Sequence, residues 1–287
     1  MVFKTLESVP FEQIYQASAE AFADYIADVS YMTEDVLRKR AAKNGIDLSL
    51  SVGAFDDEKL VAFTLVGVDL WQEELSAFDI MTGIIKPYRG QGIARKMFDF
   101  ALPEIRQRGI RNFVLEAIQE NEPAVKAYQK SGFEICRNFE CFVAKTENLR
   151  LNESKAIFLN INEMDKDFLN QVSVFFDWRP SWENSISSLL RIPDKLLVLG
   201  AFVDENPVGI LAYYPLIRWI NLLAVHPDFR QKGVASALLC HFLLNLTPET
   251  KEIKAINVDS SDLSMQSLLA KTGFEKLLSQ YEMSRKI

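Results

Sequence analysis

Apolar and polar positions along the chain fall into a series of helix-like and strand-like runs. Residues 12–27 and 33–44 read as two helical stretches. Residues 48–55 and 60–66 are β-rich runs joined by a polar turn at Asp56, Asp57 and Glu58, the pattern of a hairpin. A further strand is expected over 78–85. Beyond it Ile93, Met97, Ala101 and Ile105 recur every four residues, which gives the next helix one apolar stripe. A strand at 111–118 and a short helix at 121–131 complete the series. Gly132 stops that helix, because glycine takes the left-handed conformation without a side-chain clash.

The series occurs twice. Residues 86–98 read KPYRGQGIARKMF, and residues 227–239 read PDFRQKGVASALL. Placing Arg89 on Arg230 sets an offset of 141 residues, which also superposes Gly92 on Gly233, Ala94 on Ala235, Gly132 on Gly273 and Phe133 on Phe274. Upstream, Gly53, Ala54 and Phe55 match Gly200, Ala201 and Phe202 at an offset of 147, so the second copy is six residues shorter between these marks. Its expected helices span 163–176 and 182–191. Its hairpin spans 196–203 and 208–214, and its stripe is Val234, Leu238, Phe242 and Leu246. With 287 residues the chain exceeds the size at which one core stops growing. Two domains follow, at 1–147 and 155–287, joined by residues 148–154.

Composition removes several function classes. The apolar fraction of 48% and charged fraction of 25% are those of an ordinary globular protein. Net charge is −7, and neither half is basic: residues 1–150 carry 18 Lys and Arg against 23 Asp and Glu. Nucleic-acid binding is therefore not expected. Cys136, Cys141 and Cys240 form no CxxC pair and, with only His226 and His241, no metal-ligand cluster, so no metal is expected. Residues 1–10 lack the basic-then-apolar pattern of a signal peptide, and no apolar run reaches the ~20 residues that span a bilayer. A cytoplasmic protein with no membrane partner is expected.

The most informative segment is Arg89-Gly90-Gln91-Gly92-Ile93-Ala94, between a strand and a helix. The first amides of a helix have no partners inside it, and the aligned peptide dipoles make that end electropositive. Small residues let a ligand approach the backbone, so these amides form an anion cradle fit for a diphosphate while Ile93 packs inward. The mononucleotide loop GxxxxGK[ST] is absent. The dinucleotide fingerprint GxGxxG fails at Arg95 and loses its first glycine pair in the second copy.

These residues resemble the GNAT superfamily of N-acetyltransferases. Its signature [RQ]-x-x-G-x-[GA] is met by Arg89, Gly92 and Ala94, and again by Arg230, Gly233 and Ala235. The stretch 115–134, LEAIQENEPAVKAYQKSGFE, looks like the family's downstream segment with Asn, Tyr and a terminal Gly-Phe. The resemblance implies an α/β fold of two tandem domains, each a splayed mixed β-sheet flanked by helices, with acetyl-CoA wedged between the fourth and fifth strands. It implies that the backbone of Ile84, Ile85 and Lys86 bonds the pantetheine arm. It further implies that the amides of Arg89, Gly90, Gln91, Gly92, Ile93 and Ala94 hold the pyrophosphate, and that Asn121 contacts the cofactor near the splay.

The same resemblance makes Tyr128 the general acid for the departing thiolate. A phenol at pKa about 10 faces a thiol at about 8.5, so full proton transfer is uphill by roughly 2 kcal/mol, and hydrogen bonding to the leaving sulfur is the safer role. Glu116 and Asp79 are both candidates for the base that takes a proton from the amine, but strand alternation equally sends Glu116 to solvent, where a single Glu more often lies, and neither residue is chosen. In the second copy Leu269 stands at the position of Tyr128 and Asp262 at that of Asn121. That domain is therefore expected to be degenerate, with Asp262 capping its short helix and His226 an ordinary strand-end residue. The expected function is transfer of an acetyl or short acyl group from acetyl-CoA to a primary amine by direct attack in a ternary complex. The acceptor is a small-molecule or peptide amine, and a homodimer is left open. The alternative is a non-catalytic acyl-CoA-binding or regulatory protein.

Overall fold

A computed structural model describes residues 1–150 and 159–287. In chain order the first copy forms β1 (Val2–Thr5), α1 (Phe11–Ala21), α2 (Glu34–Lys43), β2 (Val52–Asp56), β3 (Lys59–Trp71) and β4 (Glu74–Ile84). It continues with α3 (Ile93–Gln107), β5 (Asn112–Ile118), α4 (Glu122–Lys130) and β6 (Glu134–Lys145). The second copy forms β7 (Asn160–Met164), α5 (Ile186–Leu190), β8 (Leu197–Val203), β9 (Asn206–Tyr214) and β10 (Trp219–Val225), then α6 (Val234–Leu244), β11 (Glu252–Asp259), α7 (Leu263–Thr272) and β12 (Glu275–Lys286).

The chain divides into two compact units that are not simple cuts in sequence. The first comprises Met1–Cys136 with Tyr281–Ile287, and the second Arg137–Gln280. In the first unit the strands run β1-β2-β3-β4-β5, and the end of β12 lies beside β5. The Ile287 amide there donates to the Arg111 carbonyl at 3.0 Å. In the second unit the far part of β6 pairs antiparallel with β11, Phe142 opposite Ala255 and Lys145 opposite Glu252, and the order continues through β10, β9, β8 and β7. The segments 1–147 and 155–287 expected from the sequence differ from these units, because the part of β6 from Arg137 onward packs in the second unit and the end of β12 from Tyr281 onward packs in the first. Of the expected joining segment 148–154, residues 151–154 lie outside the described residues.

Several sequence expectations need correction. The first helix ends at Ala21 rather than 27, because the Ala21 carbonyl accepts Arg89 Nη2 at 2.7 Å instead of a next-turn amide. Residues 163–176 are not a helix. β7 pairs with β8, Asn162 opposite Gly200, and short 3₁₀ turns follow at Lys166–Gln171 and Ser173–Phe175. Phe168, Leu169, Val172 and Phe175 have helix-like spacing, yet all are buried on turns, so tertiary packing overrides local periodicity here. The expected helix at 182–191 shrinks to α5, entered from a 3₁₀ turn and capped by Ser185 Oγ on the Ser188 amide at 3.2 Å. The hairpin between β3 and β4 turns at Gln72 and Glu73, both with positive φ (54° and 64°), the two-residue geometry that suits strand twist.

The splay is present in both units. β4 and β5 pair in parallel only over 76–79 against 112–115, although β4 runs on to Ile84 and β5 to Ile118. β10 and β11 pair at Trp219 with Lys254 and Ile220 with Ala255, then part. A register shift in the β3–β4 ladder lies at the mouth of the first gap, where Leu65 faces Met81 and Val66 faces Asp79. Behind the first gap a cluster of edge-on rings, Phe98, Phe113, Phe133 and Tyr128, sets centroids 5.2 to 5.8 Å apart.

Candidate active site

The turn that precedes α3 is built from its glycines. Gly90 (φ 77°) and Gly92 (φ 71°) are left-handed, and a Cβ at either would meet nothing within 4 Å. Their role is therefore conformational, and it leaves the face in front of them open. Gly92 is the N-cap of α3 without a capping side chain, so the amides of Ile93 and Ala94 in the first turn have no acceptor within the helix. Ile93 itself is 1% exposed, which anchors the turn to the core. The expected cradle is chemically fit for a diphosphate.

Other groups in the predicted set are already engaged. The Arg89 amide donates to the Lys86 carbonyl at 3.2 Å, and the Ile85 amide to Val61 at 3.0 Å. Arg89 directs its guanidinium backwards rather than into the cradle. Nε donates to the Ile84 carbonyl at 3.1 Å, and Nη2 reaches both the Ala21 carbonyl and Asp24 Oδ1 at 2.7 Å. Lys86 Nζ lies 3.2 Å from the same carboxylate, and these two cations hold the Asp24 carboxyl down at about 2. Gln91 Nε2 donates to the Pro87 carbonyl at 3.1 Å. Asn121 caps α4, its Oδ1 accepting from the Ala124 amide at 3.4 Å, and its side chain lies close enough to Tyr25 to oppose the rise that burial gives that phenol.

Tyr128 sits on α4 against the ring cluster and sends its hydroxyl into the sheet. Oη donates to Asp79 Oδ2 at 3.0 Å, and Thr82 Oγ1 donates to the same oxygen at 2.8 Å. Thr64 on β3 lies 2.9 Å from Thr82, oxygen to oxygen, which extends the chain to four side chains. Asp79 Oδ1 is fully buried without a hydrogen-bond partner; the Met81 amide lies close enough to favour the charge but closes no bond to it. Burial pushes the Asp79 carboxyl up to about 6, against the opposing hydrogen bonds from Thr82 and Tyr128. Burial, and then the charge of Asp79, raise the Tyr128 phenol well above its ordinary value. Asp79, Thr82, Thr64 and Tyr128 together line a cavity of about 30 Å³, enough for water, which Ala94 and Met97 of α3 also border. Glu116, the other base candidate, lies on β5 just past its paired stretch. Among the described residues no three His, Cys, Asp or Glu side chains converge on a metal position. No helix there is long and apolar enough to cross a membrane.

Comparison with known proteins bears on this geometry. The profile of the acetyltransferase (GNAT) family matches residues 11–133, and a second acetyltransferase (GNAT) domain profile matches 181–285, together most of the chain. The chain belongs to the GNAT family. N-alpha-acetyltransferase 30 of Schizosaccharomyces pombe is 34% identical over 85 residues, 29% of this chain and 55% of that protein. A mycothiol acetyltransferase of Geodermatophilus obscurus is 30% identical over 135 residues, 45% of this chain and 43% of its own. The aligned regions thus span only about half the length of these curated relatives. In fold, a GCN5-related N-acetyltransferase from Sphaerobacter thermophilus superposes with TM-score 0.74 at 16% identity, covering 99% of this chain and 95% of its own. A tandem GNAT protein from the clavulanic acid biosynthesis pathway gives 0.73 at 12% identity, covering 99% and 98%.

The second GNAT copy keeps the cradle and loses the hydroxyl. Gly233 (φ 85°) caps α6, and Gln231 takes the left-handed position of Gly90 at φ 55°. Arg230 repeats the strap, with Nη1 on Asp177 at 2.8 Å and Nη2 on the Phe175 carbonyl at 3.2 Å. Asp262 caps α7 through the Met265 amide at 2.9 Å, and His226 ends its strand as expected, its Nδ1 accepting from the Asp228 amide at 3.3 Å. Leu269, in place of Tyr128, is 1% exposed in the core beside Ile220. In front of this core a cleft of about 840 Å³ is bordered by the start of α6, both parted strands and Trp178. Sequence reasoning missed Thr64, Thr82, Tyr25 and Asp24. The concerted change of Thr64 and Thr82 to Leu211 and Leu223 in the second copy was the signal that could have found the first two.

Proposed function

We propose that the chain is an N-acetyltransferase in which the first GNAT copy moves an acetyl or short acyl group from acetyl-CoA to a primary amine by direct attack in a ternary complex. The observation that carries this reading is Tyr128, whose hydroxyl is fixed beside the gap between β4 and β5. The cradle before α3 lies on the same strand-to-helix connection as that gap. The amides of Gly90, Gly92, Ile93 and Ala94 would hold the diphosphate, and the parted edge of β4 would take the pantetheine arm. The thioester supplies an activated acyl carbon, and this chain orients the amine toward it. Tyr128 would turn its one hydroxyl proton from Asp79 toward the sulfur as the C–S bond breaks.

The acceptor is a primary amine of a small molecule or peptide. Acetyl-CoA consumption measured across a panel of amines tests the reading, with Tyr128→Phe as control. Turnover with at least one amine that the variant reduces strongly supports it, and a wild-type protein that binds acetyl-CoA yet acylates nothing removes it.

A second reading applies to the second copy alone: binding of acyl-CoA without transfer. Its open cleft and retained cradle favour it, and Leu269 removes the proton donor. Two equivalents of CoA per chain in a calorimetric titration, one of them lost in a bulky variant at Gly233, would support that reading.

A further inference from the structure

The helix that carries Tyr128 is held at its end by a side chain of the last strand. Ser131 closes α4, and its amide donates back to the Ala127 and Tyr128 carbonyls at 3.1 and 2.9 Å. The Phe133 amide also donates to the Tyr128 carbonyl, at 3.1 Å. The turn after α4 therefore hangs from the backbone of Tyr128 itself. The last carbonyls of a helix have no partner within it and form its electronegative end. The Ser131 carbonyl at this end accepts from Nη1 of Arg285 on β12. Nε, Cδ and Cζ of Arg285 lie 3.3 to 3.6 Å from where a Cβ at Gly132 would stand. Its Cζ is 4.7 Å from the ring centroid of Phe98, a member of the ring cluster that packs Tyr128.

The second copy closes its equivalent helix without a side chain. β6 and β12 correspond at the offset of 141, so Ala144 holds the place of Arg285. Ala144 is 2% exposed, within the apolar core of its unit. Thr272, which corresponds to Ser131, gives its carbonyl to the Arg150 amide at 2.9 Å, and Gly273 lies against the Asn148 carbonyl. A main-chain amide thus serves the helix end where Leu269 replaces Tyr128. A guanidinium serves it where the tyrosine stands. The strand that brings the guanidinium is pinned just beyond it, with Lys286 Nζ 2.9 Å from Glu74 Oε2 and the Ile287 amide donating to Arg111 at 3.0 Å.

We infer that Arg285 is a positioning residue for the acyl transfer: it holds the carboxy-terminal end of α4 against Phe98 of α3, and with it the Tyr128 hydroxyl beside the gap between β4 and β5. The inference rests on the transferase reading given above. Arg285 acts through Tyr128 and takes no part in bond making. Its guanidinium lies over Phe98 while one N–H points at the Ser131 carbonyl, so a single rigid group joins both helices. A displacement of about 1 Å in a reacting group can cost on the order of a hundredfold in rate, so a small slip of α4 is enough to show in turnover. The cradle stands at the other end of the argument's two helices, at the start of α3, where Arg89 ties it to Ala21 and Asp24. Cofactor binding is therefore held independently of Arg285.

The test uses the full chain, acetyl-CoA and the first amine that wild type turns over. Arg285→Met keeps a stem against Gly132 and Phe98 but removes the donor, whereas Arg285→Lys keeps both stem and donor. The kcat of Arg285→Met should fall about thirtyfold, with KM for acetyl-CoA changed less than about twofold. Arg285→Lys, which leaves a cation at the helix end, should stay within about fivefold of wild type. In protein labelled with 3-fluorotyrosine, the fluorine resonance missing from Tyr128→Phe reports the ring directly. It should move in Arg285→Met and return toward its wild-type position in Arg285→Lys. Arg285→Gln replaces the methionine variant if that one does not fold. Wild-type kcat without the donor, a risen KM that accounts for the loss, a lysine variant as slow as the methionine one, or an unmoved resonance would each overturn the positioning role while leaving the transferase reading intact. A wild type that acylates no amine overturns both.

Discussion

Arg89 and Asp24 form a strap across the base of the cradle, Nη2 to Oδ1 at 2.7 Å, and Arg230 with Asp177 repeats it in the second copy at 2.8 Å. The signature arginine thus fixes the loop in front of the helix by tying it to the end of the preceding helical segment. Its charge is spent on Asp24 and on backbone carbonyls, so the proposed phosphate site would rest on main-chain amides.

Asp24→Ala should therefore weaken acetyl-CoA binding by about as much as Arg89→Ala, each roughly tenfold in Kd by calorimetry, since tenfold is about 1.4 kcal/mol. A loss confined to Arg89→Ala would mean that its guanidinium meets the phosphate directly.

Gly92→Val separates folding from binding. The left-handed φ of 71° costs a non-glycine residue roughly 1–2 kcal/mol, and the open space at Cβ adds no clash, so the protein should still fold. The new side chain stands where the ligand backbone contact is expected, so acetyl-CoA binding should be lost. A thermal melt and a binding isotherm on the same sample distinguish the two effects.

Stability should depend on pH through Asp79. Its folded value of about 6 lies above the ordinary 3.8, so the folded state holds the proton longer than the unfolded chain. The stability this gives is complete below about pH 4 and is lost as pH rises through about 6. Two pKa units correspond to about 3 kcal/mol. Denaturant melts should find Asp79→Asn more stable than wild type by about 1–3 kcal/mol at pH 8, with the gap closing toward pH 4.

Residues 1–147 expressed alone should not give a stable fold, because Tyr281–Ile287 is absent from the sheet of the first unit. Residues 1–136 with the segment 281–287 joined by a flexible linker should melt cooperatively by circular dichroism. The opposite ranking would deny the strand exchange.

Much of this was readable from residues. Arg89, Gly92 and Ala94 located the turn because glycine and a helix start answer to local backbone rules, and the repeat at offset 141 aligned the two cradles. The α4 segment was legible for the same reason: Asn121 is a capping type and Gly132 a terminator. Two kinds of feature were hidden. The chain from Thr64 to Tyr128 joins residues far apart in sequence, and its register depends on the shift at Val66 and Asp79. The turn at Gln72 and Glu73 has no glycine to announce it, and the apolar spacing at 168–175 imitates a helix while serving buried turns.

The placement of the final strand has a consequence for synthesis. A ribosome exposes amino-terminal segments first, at roughly 5–20 residues per second, and domains commonly fold as they emerge. Here β5 acquires its neighbour only when Tyr281–Ile287 leaves the exit tunnel. The first lobe therefore cannot close before residues 281–287 emerge, and its apolar β5 edge stays exposed to chaperones until they do.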